Sequence, residues 1–337
     1  MSQAASSQGV GALSRRQMLR LCAGTGVLAL TGCGAKQPPP TLLAADGMLP
    51  SLWTRALPSP WRLQRSADAV ACDAEGFRSA DLLALSDGWL GRCQSADLQP
   101  LEADPLLRDL DDQASSYRAA LAPDLAATLL PVAVSPYVIV WRQHASLKET
   151  PQDWTWLLQP ALARRLVLPA SPRLAIELAA RISEPNALTN LRRQALTFDD
   201  RQGLNWLVKG EALAIVLPLQ RAMALLRRDQ RFSAVLPASG APLHWTFLAR
   251  PASTREPLPQ SWVEQSREAP LLQRLVAEGW RPSMRITAID DLRASLPMRW
   301  RDLLLPPADL WSRCWSLQPL GDADQLRLTQ QWSASAP

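Results

Sequence analysis

Short apolar runs alternate along this chain with longer stretches whose apolar positions recur every three or four residues. Asp81-Leu82-Leu83-Ala84-Leu85 predicts a buried strand that ends at the turn Ser86-Asp87-Gly88. The β-branched stretch from Val132 to Trp141 predicts another, interrupted at Ser135-Pro136. Leu166 to Leu168, Leu213 to Leu217, Phe232 to Leu236 and Leu243 to Leu248 predict further strands. Helix-period segments lie between and after them. One spans Leu174 to Ile182, with Ser171 as its N-cap and Pro172 in the first helical position, and another starts at Pro218 and runs to Leu226. Later ones pass through Trp262, Leu271 to Val276, Leu292 and Leu326 to Trp332. This is the alternation of an α/β protein. Ligands settle at strand–loop–helix junctions such as those at Ser86, Ser171 and Pro218, because helix N-terminal amides point outward there.

Near the start, Arg15-Arg16 precedes a weakly hydrophobic run from Leu21 to Leu30, and Leu30-Thr31-Gly32-Cys33 follows. The run is too short to span a bilayer. Paired arginines ahead of such a run have the form of a twin-arginine export signal, and Leu-Thr-Gly-Cys has the form of a lipobox in which the Cys33 thiol accepts a lipid. The plainer alternative is an ordinary basic leader with an incidental cysteine. On the first reading residues 1–32 are a signal peptide and the mature protein is a periplasmic, membrane-anchored lipoprotein beginning at Cys33. Residues 33–50 then form a tether, which Pro38-Pro39-Pro40 keeps extended.

A chain of 337 residues that is 47% hydrophobic has enough apolar surface for one large core or two smaller ones, and two lobes are expected. Charge narrows the choice of partner. The formal charge of +5 falls to about +2 once Arg15, Arg16 and Arg20 leave with the signal, and the remaining arginines are interspersed with acids. Nucleic acid is therefore not an expected partner. Of five cysteines, Cys22 lies in the signal and Cys33 under lipid, leaving Cys72, Cys93 and Cys314. Buried free thiols are the stronger expectation, with a Cys72–Cys93 bridge in an oxidising compartment as the alternative. Only His144 and His244 are available as imidazoles, and no Cys/His cluster is present, so no metal site and no cofactor are expected. No GxSxG or HExxH pattern occurs, which argues against an enzyme.

Several segments carry a family resemblance in one order. They are Ala80 to Leu90, Gln152 to Leu158, Leu166 to Ala180 with Arg173, Gly210 to Leu213, and Trp245 to Pro251. Together they resemble the solute-binding proteins of ABC importers, in particular the spermidine/putrescine-binding branch in a cyanobacterial form. The resemblance implies a type II periplasmic binding protein fold: two α/β lobes, a two-strand hinge, and a small-molecule ligand between the lobes. It also implies a monomer that delivers its solute to an ABC permease. The implied lobes are residues 51–131 with 242–337, and residues 132–241.

Carried over by position, the resemblance makes Ser86, Asp87, Trp89, Ser135, Ser171, Arg173, Gln220 and Trp245 the ligand-binding candidates. It also shows losses. The acidic pair flanking Arg173 is replaced by Ser171 and Leu174, an expected aromatic falls on Pro218, and the acid near Trp245 is replaced by Thr246 or Phe247. Removing ammonium groups from water requires carboxylates or aromatic faces, so these losses leave open a binder of an anionic solute, or a degenerate binding fold serving as a periplasmic scaffold. Asp87 reads equally as a turn former before Gly88. Arg173 opposes the dipole of the helix it begins and calls for a partner, either a nearby carboxylate or an anionic ligand group. Most of the fourteen tryptophans are expected in the core, with Trp89 and Trp245 placed in the cleft. Asp111-Asp112 and Asp199-Asp200 are expected to cap helices, and His244 to be a satisfied cleft or core residue.

Overall fold

Leucine- and valine-rich runs pair into ladders here because both of their faces are covered. The computed structural model describes residues 38–72, 76–287 and 289–337, so Arg15, Arg16 and Cys33 lie outside the described residues. The first part runs through β1 (Thr41–Ala45), β2 (Arg62–Ser66), β3 (Leu82–Ser86), the short β4 (Leu98–Gln99), helix α1 (Asp112–Ala119) and the long β5 (Leu129–Arg142). The middle carries β6 (Leu166–Leu168), α2 (Pro172–Ala179), α3 (Ala187–Gln194), β7 (Ala195–Phe198), α4 (Gly203–Lys209), β8 (Ala214–Pro218), α5 (Leu219–Arg228) and β9 (Phe232–Val235). The chain returns through β10 (Pro242–Pro251), β11 (Arg281–Pro282) and β12 (Trp315–Ser316) to helix α6 (Asp322–Ala334).

Strand order along the sheet is β2-β1-β3-β10-β5-β8-β6-β7. β1, β2 and β3 are parallel, as are β6, β7 and β8, while β10 runs antiparallel to β3 and to β5. β5 belongs to both groups. Its ladder with β10 ends at the pair Leu243↔Pro136, and its ladders with β8 and β9 begin at Tyr137↔Pro218 and Ile139↔Val235. The sequence predicts a break at Ser135-Pro136, but the strand continues through it. Proline has no N–H to give a ladder, so the change at Pro136 is one of partner.

The buried apolar residues of both groups form one continuous cluster. In the first, Trp53 and Trp262 stack with centroids 4.5 Å apart, and each indole N–H donates to the other's backbone carbonyl. In the second, Trp154 is fully buried and donates to the carbonyl of Gly240 at 2.9 Å. Gly240 has φ +86°, and a Cβ there would sit 2.2 Å from the Arg313 carbonyl oxygen, so the turn entering β10 requires glycine. Asp111 caps α1 as expected, its carboxylate accepting from the Ala114 amide at 2.8 Å. Trp156, Trp206 and Trp332 are half-buried, where a core position was expected.

Two further features depart from the sequence reading. Cys72 and Cys93 form a disulfide, with Cα atoms 4.9 Å apart, where free thiols were the stronger expectation; Cys314 is free and buried. The bridge ties the β2–β3 connection to the turn after β3, a proximity that only the fold creates. Secondly, α6 packs against α2, and Trp332 meets Phe198 edge-on at 5.3 Å. The chain thus passes between the two groups a third time, after β5 and the segment entering β10.

The disulfide closes a loop with a sequence separation of 21. Cys93→Ser is expected to lower unfolding stability by about 3 kcal/mol. Urea unfolding of the oxidised wild type and the variant measures this, and coincident transitions would refute it.

Candidate functional site

The turn after β3 is built by its own side chains. Ser86 Oγ accepts the Gly88 amide at 3.3 Å, which fixes the direction in which the chain leaves the strand. Because β10 is antiparallel to β3 with Thr246 opposite Ser86, Trp245 and His244 fall beside Asp87. The Asp87 carboxylate is buried, accepts the Trp245 amide at 3.3 Å, and lies 3.4 Å from His244 Nδ1. Asp87 is therefore both a turn residue and a buried carboxylate held by β10. The Tyr137 ring stands edge-on to His244 with centroids 6.2 Å apart. Burial pushes the Tyr137 hydroxyl well above its ordinary pKa, with the charges of Asp87 and Asp200 adding to the shift.

Ser135, fully buried next to the partner change at Pro136, has its Oγ 3.1 Å from the Gln220 amide, which it accepts. That bond fastens the start of α5 to β5. Space there is tight, since a Cβ on Gly279 would lie 2.9 Å from the backbone of Gln220.

α2 supplies Arg173. Ser171 occupies the N-cap position, but its side chain makes no capping bond. Arg173 is half-buried and donates from Nη1 to the Gln318 carbonyl at 2.6 Å. Burial lowers its pKa, while Glu177, Asp87, Tyr117 and Asp324 act in the opposite direction. Its hydrogen bond thus goes to a backbone carbonyl, with Glu177 one turn along the same helix. Tyr117, on the first group, donates to the neighbouring carbonyl of Leu317 at 3.2 Å.

Trp245 is not where the sequence puts it. The ring is 0% exposed, its N–H donates to Ser316 Oγ at 2.8 Å, and Tyr117 and Phe247 cover it with centroids 5.4 and 6.3 Å away. An inward position on β10 between two ladders buries the face that was expected to meet a guest. Trp89 is half-buried on the turn, with the Arg92 guanidinium 5.3 Å from its ring centroid.

The structure thus gathers Ser86 and Asp87 in one cluster and Ser135 with Gln220 in another, and turns Arg173 to the Gln318 carbonyl. Ser171 makes no capping bond, and Trp89 lies on the Asp87 turn beside Arg92. Sequence reasoning missed Tyr117, Tyr137, Ser316 and Gln318. Both tyrosines of the chain face this region, and their rarity was the available signal. Ser316 and Gln318 sit in a stretch without pattern, and only tertiary structure brings them here. Two surface cavities, of about 460 and 480 Å³, are lined by other residues, including Arg267 and Met284 in one and His144 and Ser233 in the other. Among the described residues no His/Cys/Asp/Glu group has the geometry of a metal site.

No protein-family model and no curated protein matches the chain. Solved structures do. A putative spermidine/putrescine ABC transporter from Listeria monocytogenes is similar at TM-score 0.62 and 12% identity, covering 88% of this chain and 98% of its own. The spermidine/putrescine substrate-binding protein PotD from Streptococcus pneumoniae is similar at TM-score 0.63 and 13% identity over 88% and 99%. A periplasmic thiamin-binding protein is similar at TM-score 0.61 and 17% identity over 88% and 95%. The fold is that of the type II periplasmic binding proteins: two α/β lobes joined through the strands β5 and β10.

Ser135→Ala would leave the half-buried Gln220 amide without its acceptor and is expected to cost about 1 kcal/mol. Ser171→Ala removes no bond and should change stability by less than about 0.5 kcal/mol. Denaturant midpoints of the two variants test the pair, and equal effects would contradict the assignment.

Proposed function

We propose that this protein is the extracytoplasmic solute-binding component of an ABC importer, taking a small polar, polyamine-like solute between its lobes and delivering it to a permease. The observation that carries the reading is that Tyr117 of the first lobe and Arg173 of the second donate to the carbonyls of adjacent residues, Leu317 at 3.2 Å and Gln318 at 2.6 Å, while the first lobe's turn holds the buried Asp87 carboxylate. Polar groups brought together from two lobes can grip a guest in the closed form and release it on opening, which is a population shift and requires no covalent chemistry. The similarity to polyamine- and thiamin-binding proteins supports the same reading.

An anionic guest is less well served. The Arg173 guanidinium it would need already donates to the Gln318 carbonyl, and the buried Asp87 carboxylate would repel it. The scaffold reading draws on a specific observation, the complete burial of Trp245 and its bond to Ser316. A binding experiment separates it from transport.

Localisation follows from the leader. Among the described residues no helix is long and apolar enough to cross a membrane. A lipid on Cys33 after twin-arginine export through Arg15 and Arg16 is the proposed anchor, holding the protein as a monomer at the membrane surface.

A thermal-shift panel of spermidine, putrescine, thiamin, amino acids and carboxylates tests the function on the soluble domain. A solute present at one hundred times its Kd stabilises by ~2.7 kcal/mol, which raises Tm by about 5 °C. The expected responder is a cation, and its effect should disappear in Asp87→Asn. A flat panel would favour the scaffold. Cys33→Ser should move the protein from the membrane to the soluble fraction, and Arg15→Lys with Arg16→Lys should block export. Retention at the membrane in the first case, or normal export in the second, would refute the corresponding part of the leader reading.

A further inference from the structure

We propose that residues 315–334 form a strap which occupies the gap between the lobes when no guest is present, so that a solute enters only as the strap lifts. Three consecutive residues take the contacts that the surrounding polar groups would otherwise offer to a guest. Ser316 Oγ accepts the Trp245 indole N–H at 2.8 Å, the Leu317 carbonyl accepts the Tyr117 hydroxyl at 3.2 Å, and the Gln318 carbonyl accepts Arg173 Nη1 at 2.6 Å. The Gln318 side chain adds a fourth contact, donating to the Tyr117 carbonyl at 3.3 Å. Donors from both lobes therefore end on one segment.

The strap is fastened at both ends, and by both lobes. Its beginning belongs to the first, where β12 lies parallel to β10 and the Trp315 amide donates to the Ala241 carbonyl at 3.0 Å. Arginines of the second lobe stack on both ends: the Arg181 guanidinium lies 4.2 Å from the centroid of the Trp315 ring, and that of Arg192 lies 3.9 Å from the Trp332 centroid at the far end. Arg192 Nη1 also donates to the Trp332 carbonyl and to Ser335 Oγ. A stacked and hydrogen-bonded arginine such as Arg192 fixes orientation as well as position.

The strapped arrangement is incomplete. Arg173 Nε, Gln318 Oε1 and Trp315 Nε1 are buried without hydrogen-bond partners. Unpaired buried polar atoms cost free energy, so the strap holds the gap less well than a fully satisfied core would. A guest that supplies the missing partners competes with it. The apparent affinity for that guest is then reduced by the fraction of molecules in which the strap is raised.

Hydrogen exchange without any solute tests the strap, on Arg181→Ala/Arg192→Ala and on a chain ending at Gly321. The amides of Trp315, Gln220 and Trp245 should exchange about tenfold faster in both, while those of Leu83 to Leu85 in β3 keep their protection. Wild-type exchange at Gln220 and Trp245 in both variants would overturn the proposal. If the shortened chain loses protection in β3 as well, Arg192→Lys decides: it keeps the charge without the planar stack and should show a smaller acceleration at the same amides, and wild-type rates in it would overturn the proposal. Since no guest is used, a flat solute panel leaves this result untouched, and a failed strap leaves the transport reading intact.

Discussion

The change of ladder partner at Pro136 governs much else in the molecule. Up to that residue β5 is bonded to β10, and beyond it to β8 and β9, so one strand carries its hydrogen bonds from the first lobe to the second. A proline at the changeover ends the first ladder without leaving an unpaired amide. Ser135, next to it, spends its hydroxyl on the first turn of α5 and so ties the second lobe's helix to the crossing. On the proposed function, β5 and the segment entering β10 are where the two lobes would turn against each other.

Near this crossing Asp87 is held by β10 and lies beside His244, while Arg173 is half-buried and donates to the Gln318 carbonyl. The exposed pair Arg201 and Asp68 joins the rims of the two lobes, but an exposed ion pair contributes little to holding them shut. Closure therefore rests on buried contacts, and in the absence of a guest these are supplied by the chain's own last segment. The binding reading and the strap thus concern one gap with two alternative occupants. The strap's Ser316 also takes the indole N–H of Trp245, whose ring Tyr117 and Phe247 cover.

The sequence makes the fold largely legible, because strands covered on both faces leave continuous apolar runs and helices leave their own period. β3, β6, β8 and β10 fall where such runs occur, and Pro172 begins α2 as its fixed φ requires. The site is legible only in part. Asp87 and Arg173 are visible as a turn acid and as a cation at the wrong end of a helix, each of which calls for an explanation. Trp245 is misread because a lone aromatic near a strand start has the same local signature whether it faces a gap or a core. Tyr117, Ser316 and Gln318 escape because contacts across 200 residues leave no local pattern. The Cys72–Cys93 disulfide is read only as the weaker alternative for a similar reason, since spacing alone does not reveal that two loops meet.

The central claim, that two lobes move about β5 and β10 to enclose a solute, is most directly tested by the distance between them. Spin labels at Glu102→Cys and Arg228→Cys, both at exposed positions, report it by electron–electron dipolar spectroscopy. The account predicts a distribution with a closed and a more open component, in which any solute that raises the melting temperature depletes the open one. A single distance that such a solute leaves unchanged would contradict it.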